Sequence, residues 1–400
     1  MTHQTLNTGQ AKTNPANRLG LDYAAEAARF ADLPFAAVAN PGVGNVGVAN
    51  AGVANAGGTE VGGAIIDAHV HVNGLQATKV YRKVADLYGI GLTYSMTKLE
   101  EVQAVTEAME GRVRFIAVPN YWAQDDRKYH MTDGFVKRIE QYHALGSRIA
   151  KFWCSPRATE YAIEFGDPDL LRLDAPHRIH AMEAATDLGM ILMTHVADPD
   201  TWFDTRFADA SVFGTKAQQY EPFEQLLDRF TQPWLAAHMG GWPEDLEFLT
   251  GLMNRHPNLY LDTSATKWMV RELSRHSRND LISFLCAFKG RILFGSDIVV
   301  ADEHLRPPAD GEHEVYSRAN GPDQAFELYA SRYWALRTMF ETEYSGESPI
   351  ADPDLAMVEP DKYTELDAPT LIGRSLPPDL LRSIYRDAAH DLLEPLHEKR

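Results

Sequence analysis

Cysteine is scarce in this chain. Only two cysteines, Cys154 and Cys286, occur in 400 residues, too few for a disulfide framework. We expect both to behave as small buried apolar residues. The first twenty residues are polar and contain no apolar core, so no secretory signal is predicted, and a cytoplasmic location is the default expectation.

Charged residues are absent from Leu33 to Thr59, but this stretch is not predicted to cross a membrane. It consists largely of Gly, Ala, Val and Asn, and it lacks the roughly 20 consecutive apolar residues that a span requires. Asparagine recurs every five residues, at Asn40, Asn45, Asn50 and Asn55. Because four short repeats cannot bury a core of their own, residues 40–58 are predicted to be a flexible linker. The alternative is a structural or interaction element.

Positive charge is also in deficit. Lysine and arginine number 38 against 56 acidic residues, a formal net charge of -18. Nucleic acids and anionic membrane surfaces are polyanions, so both are excluded as expected partners. A small-molecule substrate is the expected partner, and assembly into a homo-oligomer stays open.

From residue 63 onward, short apolar runs alternate with helical patterns, and we count eight such runs. They lie at 64–72, 90–96, 114–120, 148–156, 190–198, 233–241, 258–266 and 291–300. Helices are predicted between them at 76–88, 98–110, 132–145, 174–188, 217–230, 243–256 and 269–288. Eightfold alternation predicts an α/β fold, a (β/α)8 TIM barrel, although a doubly wound open sheet has the same pattern.

Two segments fall outside the alternating pattern. Residues 1–62 are predicted to be an N-terminal extension, with a short helix at 22–31, and residues 63–400 the barrel domain. Residues 302–376 are far longer than an ordinary loop after an eighth strand, and they contain a helix candidate at 324–340. We expect this insertion to cap the pocket as a lid or to mediate dimer contacts. Its tyrosines Tyr329 and Tyr333, four residues apart, are expected to pack the helix.

Ionisable side chains fall at the ends of five of the eight runs. Their positions are His69 and His71, Lys151, His195, His238 and Asp297. Active sites of parallel barrels lie at the C-terminal ends of the strands, so these six side chains are expected to face one rim. An open sheet could not bring side chains from five strands to one point, so the positions of these ionisable residues favour the barrel.

The pair His69 and His71 predicts a metal site. Residues two apart project from the same face of a strand, so the two imidazoles form a clamp for a divalent ion. Asp297 ends the apolar run RILF, where an unpaired buried carboxylate would cost several kcal/mol. A metal or a histidine is therefore expected to satisfy it.

These motifs resemble those of the amidohydrolase superfamily. DAHVH at 67–71, the strand-end histidines and LFGSD at 293–297 are similar to its amidohydrolase-related branch, which includes aminocarboxymuconate-semialdehyde decarboxylase-like enzymes. IYRDAAHDLL at 384–393 is similar to the C-terminal helix of that branch.

The resemblance implies a role for each strand-end residue. It makes His69, His71, His195 and Asp297 the metal ligands, with Asp297 also moving a proton, and His238 a catalytic residue that polarises substrate or orients water. Lys151 stands where two-metal relatives carry a carboxylated bridging lysine. Single-metal relatives also commonly carry a lysine on this strand, where it can contact an anionic substrate or pair with a carboxylate.

The resemblance implies one divalent ion, Zn²⁺ above all, or two ions if Lys151 is carboxylated. A bound zinc ion supplies hydroxide near neutral pH. We therefore expect a metal-dependent hydrolase of amide, lactone or ester bonds in a small carboxylic-acid substrate. The alternatives are a metal-dependent decarboxylase or hydratase of an unsaturated or aromatic acid and, from another class, a metal-free structural or interaction barrel.

Tryptophans cluster at or just after the strand ends. Trp122, Trp153, Trp202 and Trp242 are predicted to line a pocket for a flat acid, and Arg157 to bind its carboxylate. Trp268 occupies a similar position after the seventh run. The alternative is that these tryptophans pack helices onto the barrel.

Overall fold

The computed structural model describes residues 14–32, 64–123, 125–316 and 318–398. The predicted linker at 40–58 lies outside these residues. Within them, the strands and helices alternate as the apolar runs predict. The (β/α)8 barrel is confirmed.

Parallel strands form the barrel wall. Their bounds are β1 Ile65–Val72, β2 Ile90–Ser95, β3 Val113–Ala117, β4 Ile149–Trp153, β5 Ile191–His195, β6 Trp234–Ala236, β7 Leu259–Asp262, β8 Ile292–Leu293 and β9 Ile298–Val300. Each strand pairs with the next from β1 to β8, and β9 pairs with β1, with Val70 opposite Ile298. Because β8 and β9 are two pieces of the eighth barrel strand, this last pairing closes the barrel.

The helices of the described residues cover the outside of the barrel. Their bounds are α1 Tyr23–Arg29, α2 Leu75–Leu87, α3 Val102–Ala108, α4 Arg127–Met131, α5 Asp133–Ala144, α6 Pro156–Ile163, α7 Pro176–Asp187, α8 Asp200–Phe203, α9 Ala210–Phe213, α10 Lys216–Arg229, α11 Leu246–Arg255, α12 Thr266–Leu273, α13 Arg278–Ala287, α14 Pro322–Glu341, α15 Asp354–Val358, α16 Pro378–Arg382, α17 Ala388–Leu393 and α18 Pro395–Glu398. A short antiparallel pair, β10 Ser345–Glu347 and β11 Thr370–Ile372, lies beyond α14. None of the described helices is long and apolar enough to cross a membrane.

The strands are apolar on both faces because helices cover one face and the barrel interior fills the other. In β5, Ile191, Leu192 and Met193 are all at most 1% exposed. This double burial explains why the runs are continuous rather than alternating. Polar side chains therefore concentrate where each strand ends, at the rim that carries the candidate site.

The eighth run, predicted as one strand at 291–300, is interrupted. Asp297 has a left-handed backbone, with φ of 59°, which no continuous strand can contain. The Phe294 N–H donates to the carbonyl of Ile384, in a π-helical turn at 383–387, instead of to a neighbouring strand. The interruption places the Asp297 carboxylate inside the rim.

The helix predicted at 269–288 is two helices, α12 and α13. Ser277 caps α13 by accepting the N–H of Asp280, which ends the helical path between them. This helix also corrects the expectation for one cysteine: Cys286 is exposed rather than buried. Leu281, Phe284 and Leu285 form the inward face of α13.

The N-terminal residues 14–32 and helix α14 pack together on the outside of the barrel. Tyr23 of α1 is buried, and its carbonyl accepts the hydroxyl of Tyr88. The Trp334 indole N–H of α14 donates to Glu26 of α1. Helix α14 is thus an outer helix against α2 and α12. The predicted role of residues 302–376 as a lid or in dimer contacts stays a prediction.

Candidate metal centre

Three donor atoms from β1 and from the break in the eighth strand meet at the rim. His71 Nε2 lies 3.2 Å from Asp297 Oδ1, and His69 Nε2 lies 3.4 Å from the same oxygen. His69 is fully buried, whereas 30% of the His71 side chain is exposed. The pair predicted from the spacing of the histidines therefore converges on the predicted carboxylate.

The backbone around Asp297 holds this geometry. The N–H of Asp297 donates to the carbonyl of His69 over 2.8 Å, which ties the break in the eighth strand to β1. A side chain at Gly295 would approach His69 Cβ to 3.1 Å, so a residue without Cβ is needed where the two segments touch. Asp297 adopts a strained left-handed backbone conformation in this position, as residues at functional sites often do.

Asp262 and Ser264, at the end of β7, were missed in the sequence analysis and complete the site. Asp262 Oδ2 lies 2.8 Å from His69 Nδ1, and Asp262 Oδ1 accepts the backbone N–H groups of His238 and Ser264. The Ser264 hydroxyl donates to Asp262 in a short hydrogen bond. The available signal was the polar end of the run NLYLDTSAT, which matches the strand ends that carry the other candidates.

This network assigns the protons of two imidazoles. His69 donates Nδ1–H to the Asp262 carboxylate, so its Nε2 lone pair faces the three-atom cluster. Ser264 Oγ lies 2.8 Å from His238 Nδ1 and, because its own proton goes to Asp262, it accepts the Nδ1–H of His238. His238 Nε2 is then an acceptor.

His238 follows β6 and is 3% exposed. Its ring stacks on His69 with centroids 5.0 Å apart and meets His195 edge to face at 4.4 Å. Its backbone is left-handed, with φ of 58°. Burial lowers the pKa of His238 well below its usual value, and the neighbouring His195 lowers it further.

His195, at the end of β5, lies beside this cluster without joining it. His195 Nε2 is 3.1 Å from both the Ala197 carbonyl oxygen and Asp198 Oδ1, so Nε2 carries the proton. Its Nδ1 lone pair is the one left for a ligand. Among the described residues, the two groups whose donor atoms converge are His69–His71–Asp297 and His69–His238–Asp262. The predicted role of His195 as a ligand therefore stays a prediction.

Lys151 of β4 reaches the same point. Its Nζ lies 2.8 Å from His69 Nε2, and the residue is 7% exposed. Burial lowers the pKa of Lys151 to about 8. A metal ion on His69 Nε2 would displace this contact, and whether Lys151 then binds substrate or a second ion stays a prediction.

The protonation states of Asp297 and His71 suit a cation. Burial raises the pKa of Asp297, but the hydrogen bond with His71 and the nearby imidazoles outweigh it and hold that pKa well below its usual value. Burial lowers the pKa of His71 to about 4. At neutral pH a neutral His71 imidazole therefore lies beside an ionised Asp297 carboxylate, the forms in which these groups bind metal.

The donor spacing fits a divalent ion. Ligands of a tetrahedral ion at about 2.0–2.1 Å stand roughly 3.3 Å from one another. The separations of 3.4 and 3.2 Å from Asp297 Oδ1 agree with that edge length. The His69 hydrogen bond to Asp262 is the orienting contact that metal-bound histidines usually make.

Two of the predicted pocket tryptophans lie at neighbouring strand ends. Trp153, half-buried at the end of β4, is paired in register with His195 and contacts Tyr121 edge to face. Trp122 donates its indole N–H to the Tyr316 hydroxyl of the segment at 302–320. Their predicted role in binding substrate remains open.

The other predicted wall residues lie in well-packed surroundings. Trp242 stacks on Tyr220 and contacts Phe248, as the packing alternative expects. Trp202 packs on Phe207. Arg157 forms an ion pair with Glu160, with Nη1 to Oε2 at 2.7 Å. Substrate contacts by these residues stay predictions.

Trp268 is the tryptophan whose ring lies near a candidate catalytic side chain. Its ring centroid is 6.2 Å from that of His238, and its indole N–H donates to Glu244 over 2.8 Å. It is buried, so it forms the base of the wall behind His238.

Fold and site together define a (β/α)8 barrel with convergent histidine and aspartate side chains at its C-terminal rim. Residues 66–394 match the amidohydrolase family, and the chain belongs to that family. Its members typically bind a divalent metal, in agreement with the His69–His71–Asp297 cluster. The chain is an enzyme of this superfamily. The comparison with curated proteins gives no match.

Several solved structures are similar to this chain at low sequence identity. An uncharacterised TIM-barrel protein from Bordetella bronchiseptica is 14% identical over 83% of this chain and 99% of its own, with a TM-score of 0.44. A zinc-bound amidohydrolase from Burkholderia multivorans is 12% identical over 82% and 98%, with a TM-score of 0.42. A 2,6-dihydroxybenzoate decarboxylase from Rhizobium is 15% identical over 66% and 98%, with a TM-score of 0.31.

Proposed function

We propose that this protein is a single-zinc hydrolase that cleaves an amide, lactone or ester bond in a small carboxylic acid. The observation that carries the proposal is the convergence of His69 Nε2 and His71 Nε2 on Asp297 Oδ1 at 3.4 and 3.2 Å. His195, through its free Nδ1, is proposed as the fourth ligand. Nitrogen and carboxylate donors in tetrahedral spacing favour zinc among divalent ions.

A zinc ion, when bound, supplies Lewis acidity and lowers the pKa of water near neutrality. Asp297 presents Oδ1 to the histidines and, being ionised at neutral pH, is proposed to accept a proton on its second oxygen. His238 Nε2 is proposed to accept a hydrogen bond from the attacking water. Because His238 is neutral, it orients water rather than stabilising negative charge on substrate.

Lys151 favours an acid as the substrate. Its amine is a cation at the base of the centre, 2.8 Å from His69 Nε2. Once a metal ion is bound to His69 Nε2, the Lys151 amine is available to bind a substrate carboxylate. Trp153 and Trp122, at the neighbouring strand ends, would then contact the rest of the molecule, and Arg157 would contribute only if its pair with Glu160 opened.

The same cation supports a second candidate, a metal-dependent decarboxylase or hydratase of an unsaturated or aromatic acid. A substrate carboxylate paired with Lys151 would lie beside the centre. Its departure as carbon dioxide would leave the electron pair of the broken C–C bond on the substrate carbon, which would take up a proton from water. The two candidates differ in their products and share the centre.

Metal content and product analysis test the proposal. We expect the purified protein to contain about one zinc per chain by mass spectrometry of the metal, and the H71A variant to contain far less. H390A, which changes a histidine with a half-exposed side chain on α17, is the control and should retain its metal.

A panel of lactones, amides and esters of small acids would then be assayed beside aromatic and muconate-like acids, with carbon dioxide measured in the second set. Bond hydrolysis supports the hydrolase, and carbon dioxide release supports the lyase. A wild-type protein without stoichiometric metal, together with an equally stable H69A variant, would leave the metal-free barrel as the better interpretation.

A further inference from the structure

A second buried carboxylate lies directly beneath the metal centre. Asp67 of β1 is fully buried, two residues before His69. Its Oδ1 accepts the backbone N–H of His69 and that of Ser296, each over 3.1 Å. One oxygen therefore holds the backbone of β1 and that of the eighth-strand break, next to a candidate ligand on each side.

The other oxygen of Asp67 faces a helix from the C-terminal third of the chain. Asp67 Oδ2 accepts the hydroxyl of Ser296 over 2.6 Å and that of Tyr333 over 2.8 Å. Tyr333 belongs to α14 and is fully buried. Its hydroxyl also lies 2.7 Å from that of Tyr81 on α2, which is 3.1 Å from the Thr93 hydroxyl on β2. The chain of hydroxyls thus runs from the outer helices to the carboxylate.

We propose that Tyr333 is a positioning residue of the metal centre, holding Asp67 so that His69 and Asp297 keep their spacing. The proposal rests on the proposed function, since it assumes that the centre binds a metal. Without Tyr333, the Asp67 carboxylate keeps one side-chain donor and gains freedom to rotate. Rotation would move the acceptor that both backbone segments share, and with it the two ligands.

The structure provides a matched control one helical turn away. Tyr329, also on α14, is fully buried, and its hydroxyl lies 2.9 Å from His304 Nδ1 instead of reaching Asp67. Y333F and Y329F remove the same atom from the same helix at the same burial. A merely structural role for α14 would make the two variants behave alike.

Zinc and cobalt affinities of the metal-stripped full-length protein test the proposal. Partners that orient metal ligands contribute 10- to 100-fold to affinity, and Tyr333 acts one step further out. We therefore expect Y333F to bind about tenfold more weakly and to shift the visible absorption of bound Co²⁺. Y329F should bind as the wild type does, and the metal-free forms of both variants should unfold at similar temperatures.

Equal metal affinity in Y333F, Y329F and the wild type would overturn the proposal, as would equal weakening in both variants. Y81F, which removes the hydroxyl that meets Tyr333, is the second variant should Y333F fail to fold, and it should weaken cobalt binding in the same direction and by less. Unchanged binding by Y81F would then count against the proposal. A wild type that binds neither metal would instead contradict the proposed function.

Discussion

At the residue scale, the Asp262 carboxylate orients two imidazole rings. Asp262 accepts Nδ1–H of His69 directly and holds His238 through Ser264 and through the His238 backbone N–H. Burial raises the pKa of Asp262, but the interaction with His69, including its hydrogen bond, and the hydrogen bond from Ser264 outweigh that effect and hold the pKa well below the usual value. The carboxylate is therefore ionised wherever the protein is folded at neutral pH.

The D262N variant tests this orientation. The amide oxygen of Asn would still accept the backbone N–H groups of His238 and Ser264. The amide nitrogen, which is a donor, would then face His69 Nδ1 and repel the proton on Nδ1. The proton should then move to Nε2, the nitrogen that faces the candidate metal site. We expect zinc affinity to fall about 10- to 100-fold, measured by chelator competition. S264A, which keeps the Asp262 contact to His69, should affect zinc affinity less, and the reverse order would refute the assignment.

Asp67 makes a prediction about pH. Burial raises the pKa of Asp67 from 3.8 to about 7. A folded-state pKa above the unfolded value means that the folded protein binds the proton more tightly, so this contribution to stability is complete below about pH 4 and is lost as the pH rises through 7. Between pH 5 and pH 8 the loss is roughly 3 kcal/mol.

The D67N variant should lack that loss. Urea unfolding of the metal-free wild type and D67N at pH 5 and pH 8 measures this loss. Between the two pH values, the free energy of unfolding of the wild type should fall by roughly 3 kcal/mol relative to that of D67N. D169N, at a side chain that is 71% exposed, is the control and should follow the wild type. Parallel pH profiles for wild type and D67N would show that Asp67 is not the group responsible.

How far these residues could be predicted depends on how local their signals are. His69, His71 and Asp297 stand at the ends of apolar runs, where the polar residue is conspicuous. Asp262 has the same local signal but no histidine partner beside it in the sequence, and it was missed. Tyr333 has no local signal at all, since a tyrosine on an apolar helix face looks the same whether it packs or donates to a carboxylate 266 positions away.

Tight turns between strand and helix set the geometry of the site at the element scale. Gly241, which follows β6 and His238, has φ of 84°. A Cβ there would lie 3.0 Å from the Ala197 nitrogen and 3.2 Å from its carbonyl oxygen, the oxygen that His195 Nε2 contacts. The loops after β5 and β6 therefore touch where both histidines are held.

We expect G241A to be more destabilising than G290A. Gly290 has nearly the same φ, 86°, with no atom within 4 Å of the added Cβ, so G290A should cost only the backbone strain, about 1–2 kcal/mol. G241A should cost about 1–3 kcal/mol more and should weaken metal binding as well. Urea unfolding and zinc titration of both variants measure these effects. Equal destabilisation would mean that the contact with Ala197 relaxes freely.

The elements themselves were largely predictable, and their interruptions were not. Continuous apolar runs and helical periodicity place the barrel strands and the longer helices within a few residues, whereas short helices such as α6, α8 and α9 were not predicted. The eighth run reads as one strand because Ile298, Val299 and Val300 continue its apolar character, while the left-handed backbone at Asp297 arises from contacts with distant β1. Capping at Ser277 similarly divides a helix whose apolar pattern continues across it.

At the scale of the whole molecule, the barrel sheet closes where the candidate ligands meet. His71 is paired with Val299 across the last pair of strands, and Asp297 lies two residues before Val299. A metal shared by His69, His71 and Asp297 would therefore bind both edges of the closing sheet. Binding only to the folded state should stabilise the entire barrel.

Thermal unfolding measures that stabilisation. At zinc 100-fold above its dissociation constant, the gain is about 2.7 kcal/mol, and we expect Tm to rise by about 3 °C. The rise should grow with zinc concentration and should disappear in H71A, while H390A keeps it. A Tm that does not respond to zinc in the wild type would mean that the ion does not bridge the closing strands.

The break in the eighth strand also has a consequence for synthesis of the chain. Asp297 and its partners on β1 lie at opposite ends of the barrel sequence, so a nascent chain presents His69 and His71 long before the carboxylate leaves the ribosome. Tyr333 follows later still. Chains that end before Asp297 would lack the carboxylate of the centre, and stable capture of the ion would mark the chains in which all eight strands have been made.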